Sequence, residues 1–279
     1  DPAVPYGDAE FWCGGQKAAW SDGATVWFAG VSPADGSLDP PDGRGRALGA
    51  GTAPEWGFCA SGPAVFFTGA VRGGQIFRAQ IGPGAEAAEQ LTEGGVNAVP
   101  FASTNVADPA IGVLCATSLD NLWRWFRDDA PKAGGTLGCV VSAPRWIPGE
   151  AAAVTTAEDG PTVQIARYDT ATGLTELLTR RPGNRFDPIF FNAPELGGEQ
   201  LFLCTADKSA VEVYRRGGAG WALMSRLAVP VESPPGVALE HASPEPFIFN
   251  GTTYISLAVT EGSYTRGDPG TIWVTDLAG

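Results

Sequence analysis

Ala53-Pro54-Glu55-Trp56 … Val65-Phe66-Phe67-Thr68 … Gln75-Ile76-Phe77-Arg78-Ala79 reads as one phrase: a Pro-containing turn, an apolar run, and a second run carrying an aromatic. The phrase returns as Val99-Pro100-Phe101 … Val113-Leu114-Cys115-Ala116 … Asn121-Leu122-Trp123-Arg124-Trp125. It returns again as Ala143-Pro144-Arg145-Trp146 … Ala153-Val154-Thr155-Thr156 … Val163-Gln164-Ile165-Ala166-Arg167-Tyr168. A repeat of about 45 residues built from short strands has the period of β-propeller blades. The expectation is an all-β chain folded as a single β-propeller domain over residues 1–279.

Outward from these copies the phrase weakens but persists. Ala19-Trp20-Ser21-Asp22-Gly23 with Val26-Trp27-Phe28 opens the chain. A fifth copy begins at Asp187-Pro188 or at Ala193-Pro194-Glu195 and continues through Leu201-Phe202-Leu203-Cys204 and Val211-Glu212-Val213-Tyr214. A sixth runs from Ser243-Pro244-Glu245 to Thr271-Ile272-Trp273-Val274. Six copies predict six blades; five is the alternative, because the first copy is degenerate. The last copy ends after three strands, which leaves a strand edge uncovered. The apolar N-terminal segment Glu10-Phe11-Trp12-Cys13 is expected to fill that edge and close the ring.

The chain is 44% hydrophobic and 18% charged, enough apolar content for a full core. Its net charge of −13 argues against a nucleic-acid partner, because phosphate backbones would be repelled. No apolar run approaches the length of a membrane-spanning helix. The start at Asp1, without Met, fits a chain from which an export signal has been removed, so an extracellular or periplasmic location is expected. Cys115 and Cys204 fall at matching, core-type positions, whereas Cys13, Cys59 and Cys139 offer one disulfide and a leftover thiol.

Gln75-Ile76-Phe77-Arg78-Ala79 followed by Gln90-Leu91-Thr92 resembles the repeat of TolB-like propellers. Tyr168-Asp169-Thr170-Ala171-Thr172-Gly173 followed by Leu177-Leu178-Thr179 is similar to it, as is the Trp20-Ser21-Asp22-Gly23 turn. The resemblance implies the fold and an extracytoplasmic setting; the family includes scaffolds and enzymes, so no activity comes with it. Asp108-Pro109, Asp187-Pro188 and Ala193-Pro194-Glu195 also resemble, more faintly, motifs of five-bladed arabinanase-like glycosidases, which use three funnel carboxylates.

In a propeller, equivalent repeat positions gather around a central funnel. The residue after the repeat Pro is Glu55, Phe101, Arg145, Glu195 and Glu245, with Asp187 replacing Glu195 if Pro188 is the repeat Pro. Carboxylates brought together repel, which raises at least one pKa, and such pairs suit acid and base work on a glycosidic bond. The candidate catalytic residues are therefore Glu55, Asp187, Glu195 and Glu245, and the ligand-binding candidates Arg145, His241, Asp108 and Trp125. A carbohydrate or other small ligand is expected at the funnel, and a glycoside hydrolase or lyase if the chain is an enzyme. The competing reading is a non-catalytic scaffold for a protein partner. No cofactor is expected; Ca²⁺ is the other use of the same carboxylates. One histidine excludes multi-His metal sites, and no metal ligand set is assigned. His241 also reads as a hydrogen-bonded structural residue, and the acids as turn caps.

Overall fold

The computed structural model describes residues 7–12, 15–39, 45–59, 61–71, 73–82, 87–103, 113–117, 122–127, 130–137, 142–218, 220–229, 238–262 and 271–278. Among them the only helical element is one 3-10 turn at Pro194–Leu196, and all other regular structure is strand. No helix there is long and apolar enough to cross a membrane.

The chain divides into two compact units, Asp1–Cys139 and Val140–Gly279. In the first, β1 (Gly7–Trp12), β2 (Lys17–Ser21) and β3 (Thr25–Val31) form an antiparallel sheet, with the short β4 (Leu38–Asp39) on β3. The long β5 (Arg46–Cys59) pairs with β3 through its first residues. Its later residues pair with β6 (Gly62–Gly69), which leads to β7 (Gln75–Gln80) and β8 (Glu89–Gln90). The third sheet is β9 (Asn97–Ala102), β10 (Val113–Thr117), β11 (Leu122–Arg127) and β12 (Ala130–Leu137).

The second unit repeats the four-strand meander in β13 (Arg145–Trp146), β14 (Ala152–Asp159), β15 (Thr162–Asp169) and β16 (Thr175–Leu177). It does so again in β17 (Arg185–Ala193), β18 (Glu199–Ala206), β19 (Ala210–Gly217) and β20 (Gly220–Leu227). The last sheet has three strands, β21 (Leu239–Phe249), β22 (Thr252–Glu261) and β23 (Thr271–Asp276). The N-terminal strand does not complete it: β1 pairs with β2, Trp12 opposite Lys17, and extends the first sheet. Strands so close in sequence pair locally because closing a short loop costs little entropy.

Central strands such as β6 and β18 are runs of consecutive buried residues whose two faces enter different seams, so neighbouring sheets within each unit share a core. Trp12, Val26, Val65 and Phe67 join the first two sheets, and Phe66, Ile76, Ala102 and Phe126 the next two. In the second unit Val154, Ile165, Phe202 and Tyr214 form one seam; Leu201, Val213, Ile255 and Leu257 form the other. The family-like motif has a hydrogen-bonding reason. Thr92 Oγ1 donates to Gln75 Oε1 at 2.8 Å and accepts from the Ile76 amide at 2.9 Å. Thr179 repeats both bonds, at 2.8 and 2.9 Å, with Gln164 and Ile165. Each buried amide thereby ties a third strand to the chain segment that leaves its sheet.

Cys59 and Cys204 are buried free thiols. The expected disulfide therefore does not use Cys59, whose sulfur instead sits 3.2 Å from the Ser61 hydroxyl and the Gly62 carbonyl. Cys13 and Cys139 lie outside the described residues.

Candidate functional site

The repeat Pro is the structural pivot. Pro54, Pro100, Pro144, Pro188 and Pro244 are all buried. The residue before it has positive φ in four copies: 49° at Ala53, 53° at Val99, 52° at Asp187 and 47° at Ser243. At each of these sites two residues oppose one across the ladder, a β-bulge that bends the strand and re-aims its side chains. Positive φ costs an L-residue roughly 1–2 kcal/mol and persists only where packing over-determines it; here the buried Pro supplies that packing.

This geometry decides the register of the fifth copy. Pro188 is buried in the bulge, whereas Pro194 is exposed in the 3-10 turn at the other end of β17. The position after the Pro thus holds Glu55, Phe101, Arg145, Ile189 and Glu245, and Asp187 occupies the strained position before it. Glu195 does not belong to the set. Its carboxylate accepts from the Thr253 amide at 3.0 Å and the Thr253 hydroxyl at 2.9 Å, bracing the β21–β22 hairpin. Desolvation is the largest single influence and raises its pKa, but the hydrogen bonds together outweigh it and hold the pKa below the ordinary value.

Three predicted residues do meet within the second unit. Arg145, at the start of β13, lies 4.0 Å from Glu245 in β21. Asp187, from the β17 bulge, interacts electrostatically with both. Burial raises the pKa of Asp187 against the pull of Arg145 and Lys208. Desolvation by surrounding protein also raises Glu245, opposed by Arg145 and reinforced by Asp187. The Glu245 side chain nevertheless keeps 55% of its surface accessible, so a ligand can reach it. Thr205 Oγ1 lies 3.5 Å from Asp187 Oδ2, and Ser142 Oγ accepts the Asp187 amide at 3.3 Å.

The sequence reading missed the neighbouring ion pair of Lys208, in the β18–β19 turn, with Glu240, at the start of β21. Both act on Asp187, with opposite signs. A lysine in a polar turn and an acid ahead of a strand carry no local mark of such a role; only tertiary folding joins them. His241 follows Glu240. Its amide donates to the Lys208 carbonyl at 2.6 Å, and its Nε2 accepts from the Val229 amide at 3.4 Å. Among the described residues its Nδ1 is buried without a hydrogen-bond partner, and burial lowers its pKa.

The remaining predicted residues belong to the first unit or lie outside the described residues. Glu55 lies half-buried in β5 of the first unit, opposite Phe66. Trp125, in β11, packs across Gly135 of β12, where an added Cβ would come within 2.7 Å of the indole nitrogen. Asp108 lies outside the described residues. Among the described residues no three His, Cys, Asp or Glu side chains converge as a metal site.

No protein-family model and no curated protein matches the chain. Solved structures do. The chain is similar to a putative TolB from Agrobacterium tumefaciens, with TM-score 0.53 and 11% identity over 81% of this chain and 82% of that one. The chain has a TolB-like β-propeller fold. A second TolB, from Acinetobacter baumannii, gives TM-score 0.51 and 13% identity over 96% of this chain, which spans 66% of that protein. A structure from a study of two prolyl endopeptidases gives TM-score 0.58 and 10% identity over 98% of this chain and 42% of that one. At such identities the likeness is one of fold; for a TolB-like propeller the chemistry must be argued from its own side chains.

Proposed function

We propose that this propeller binds a polar, hydroxyl-rich ligand of the carbohydrate class at the Arg145–Asp187–Glu245 cluster. The observation that carries the reading is the convergence of two carboxyls with raised pKa values on one guanidinium, one of them on a strained bulge residue. Weakened acidity of two carboxyls beside one guanidinium is the pattern expected of a site. A sugar ring offers hydroxyls that donate to the carboxylates and accept from the guanidinium. Glycosidic cleavage employs one carboxyl held protonated and one ionised, roles that two interacting carboxyls can divide between them, so hydrolysis belongs to the same proposal. On the TolB-like resemblance we place the protein in the periplasm or outside the cell.

A glycan array followed by thermal-shift measurements tests the binding. A stabilising glycan is expected, with its shift lost in Asp187→Asn, Glu245→Gln and Arg145→Ala, because a ligand that binds only the folded state must raise its stability. If no glycan shifts the wild-type transition, the carbohydrate reading fails. Release of reducing ends by the wild type, abolished in Glu245→Gln, would extend binding to cleavage.

A further inference from the structure

The first unit contains a cavity of about 450 Å³. That volume falls within the range of small-ligand sites, roughly 300–1,000 Å³. It opens between the first two sheets, which β5 joins. Trp12, Phe28, Phe58 and Ile81 provide its apolar wall. The rings are mutually braced: Trp12 stacks on Phe28 and on Trp56, each at 5.5 Å between centroids, and Trp56 meets Phe58 edge-on at 5.8 Å. A wall so packed is formed before any ligand arrives, which lowers the ordering cost of binding.

Two cations border this wall. Lys17 Nζ lies 5.9 Å and Arg46 Cζ 5.7 Å from the centroid of Phe28. The register explains the arrangement: Arg46 is opposite Phe28, and Lys17 is opposite Trp12. Among the described residues neither cation has a carboxylate within ion-pair distance; Arg46 donates only to the Gln80 carbonyl, at 3.1 Å. Asp39 also lines the cavity, one carboxylate against two cations. The protein has 31 acids against 18 Lys and Arg, so a cavity with a surplus of cations runs against its overall balance.

We propose that this cavity is a second binding site, chemically distinct from the carboxylate cluster, for a small aromatic monoanion such as an aryl carboxylate. The aromatic wall takes the apolar body, and Lys17 and Arg46 hold the anionic group. The face of Phe28 holds both cations beside the aromatic wall, so an anionic group on a ring seated there meets them. The strand β1 is essential to the site because it contributes Trp12.

Calorimetric titration of the whole protein with naphthoate tests this, with neutral naphthalene carboxamide as the matched control. Naphthoate is expected to bind at least about ten-fold more tightly than the amide, and Lys17→Gln and Arg46→Gln each to weaken it about ten-fold or more. Arg46→Lys should retain part of the affinity. Arg46 is exposed, so its variants fold whatever Lys17→Gln does, and thermal unfolding checks both. No naphthoate binding, equal affinity for the amide, or affinity unchanged in Arg46→Gln would each refute the site.

Discussion

At the scale of single residues, chemistry follows burial and backbone conformation more than residue type. Asp187 and Glu195 are both acids next to a Pro in one strand-and-turn, yet one is raised in pKa by burial and the other lowered by hydrogen bonds. His241 is the clearest titration test. Burial depresses its folded pKa below the ordinary 6.5, so the unfolded chain takes up the proton first. Its contribution is full above the ordinary value and is lost as pH falls from there toward the folded value, by at most about 1.4 kcal/mol per pH unit. Urea unfolding across that window should show a steeper loss for the wild type than for His241→Gln; parallel curves would remove the buried neutral imidazole from the account. Asp187 and Glu245 have the opposite sign: their raised folded values make stability decline as pH rises from the ordinary carboxylate range. Strain is testable separately. Ser243 is exposed at φ 47°, and Ser243→Gly should stabilise by about 0.5–1 kcal/mol, read as a higher urea midpoint at unchanged slope.

At the scale of the strand, the repeat is held by buried polar bonds as well as by apolar packing. The Gln–Thr clasp occurs in the second and fourth sheets; in the fifth, Glu212 takes the comparable place in β19. Its carboxylate accepts from Arg185 at 3.1 and 3.4 Å and from the Tyr214 hydroxyl at 2.5 Å, and it is fully buried. An ionic clasp has replaced an amide one, which makes it less forgiving. Thr179→Val should cost about 1–3 kcal/mol, because it leaves the buried Ile165 N–H unpaired and takes one of two donors from the Gln164 amide oxygen, which keeps the Arg181 N–H. Glu212→Ala should cost about 3–5 kcal/mol by stranding the Arg185 guanidinium. Chemical denaturation orders the two, and a smaller loss for Glu212→Ala would contradict the account. The repeat's apolar runs, its turn Pro residues and its Gln…Thr motif were legible in the sequence because each is local. The fifth register was not: Pro188 and Pro194 are equally good turn residues, and only burial in the bulge separates them.

At the scale of the whole molecule, charge dominates what can be expected. A net charge of −13 on 279 residues opposes compaction by self-repulsion. Raising ionic strength from about 0.01 to 0.15 M shortens the Debye length from about 30 to 8 Å and should raise the melting temperature. A fall instead would mean that the mapped pairs, Arg167 with Glu150 and Asp169 among them, contribute more than the repulsion they interrupt. By itself the sequence determined the all-β class, the blade-length period and the TolB-like propeller fold, since alternation and turn chemistry act over a few residues. Its repeat alignment also brought Arg145 and Glu245 into consideration together, as equivalent positions of one phrase. The tertiary structure decided the rest. It placed β1 on the first sheet, removed Glu195 from the cluster, and brought Lys208 and Glu240 to Asp187. These are outcomes of which strands pack and which side chains lose water, and such outcomes depend on residues that meet only once the chain has folded.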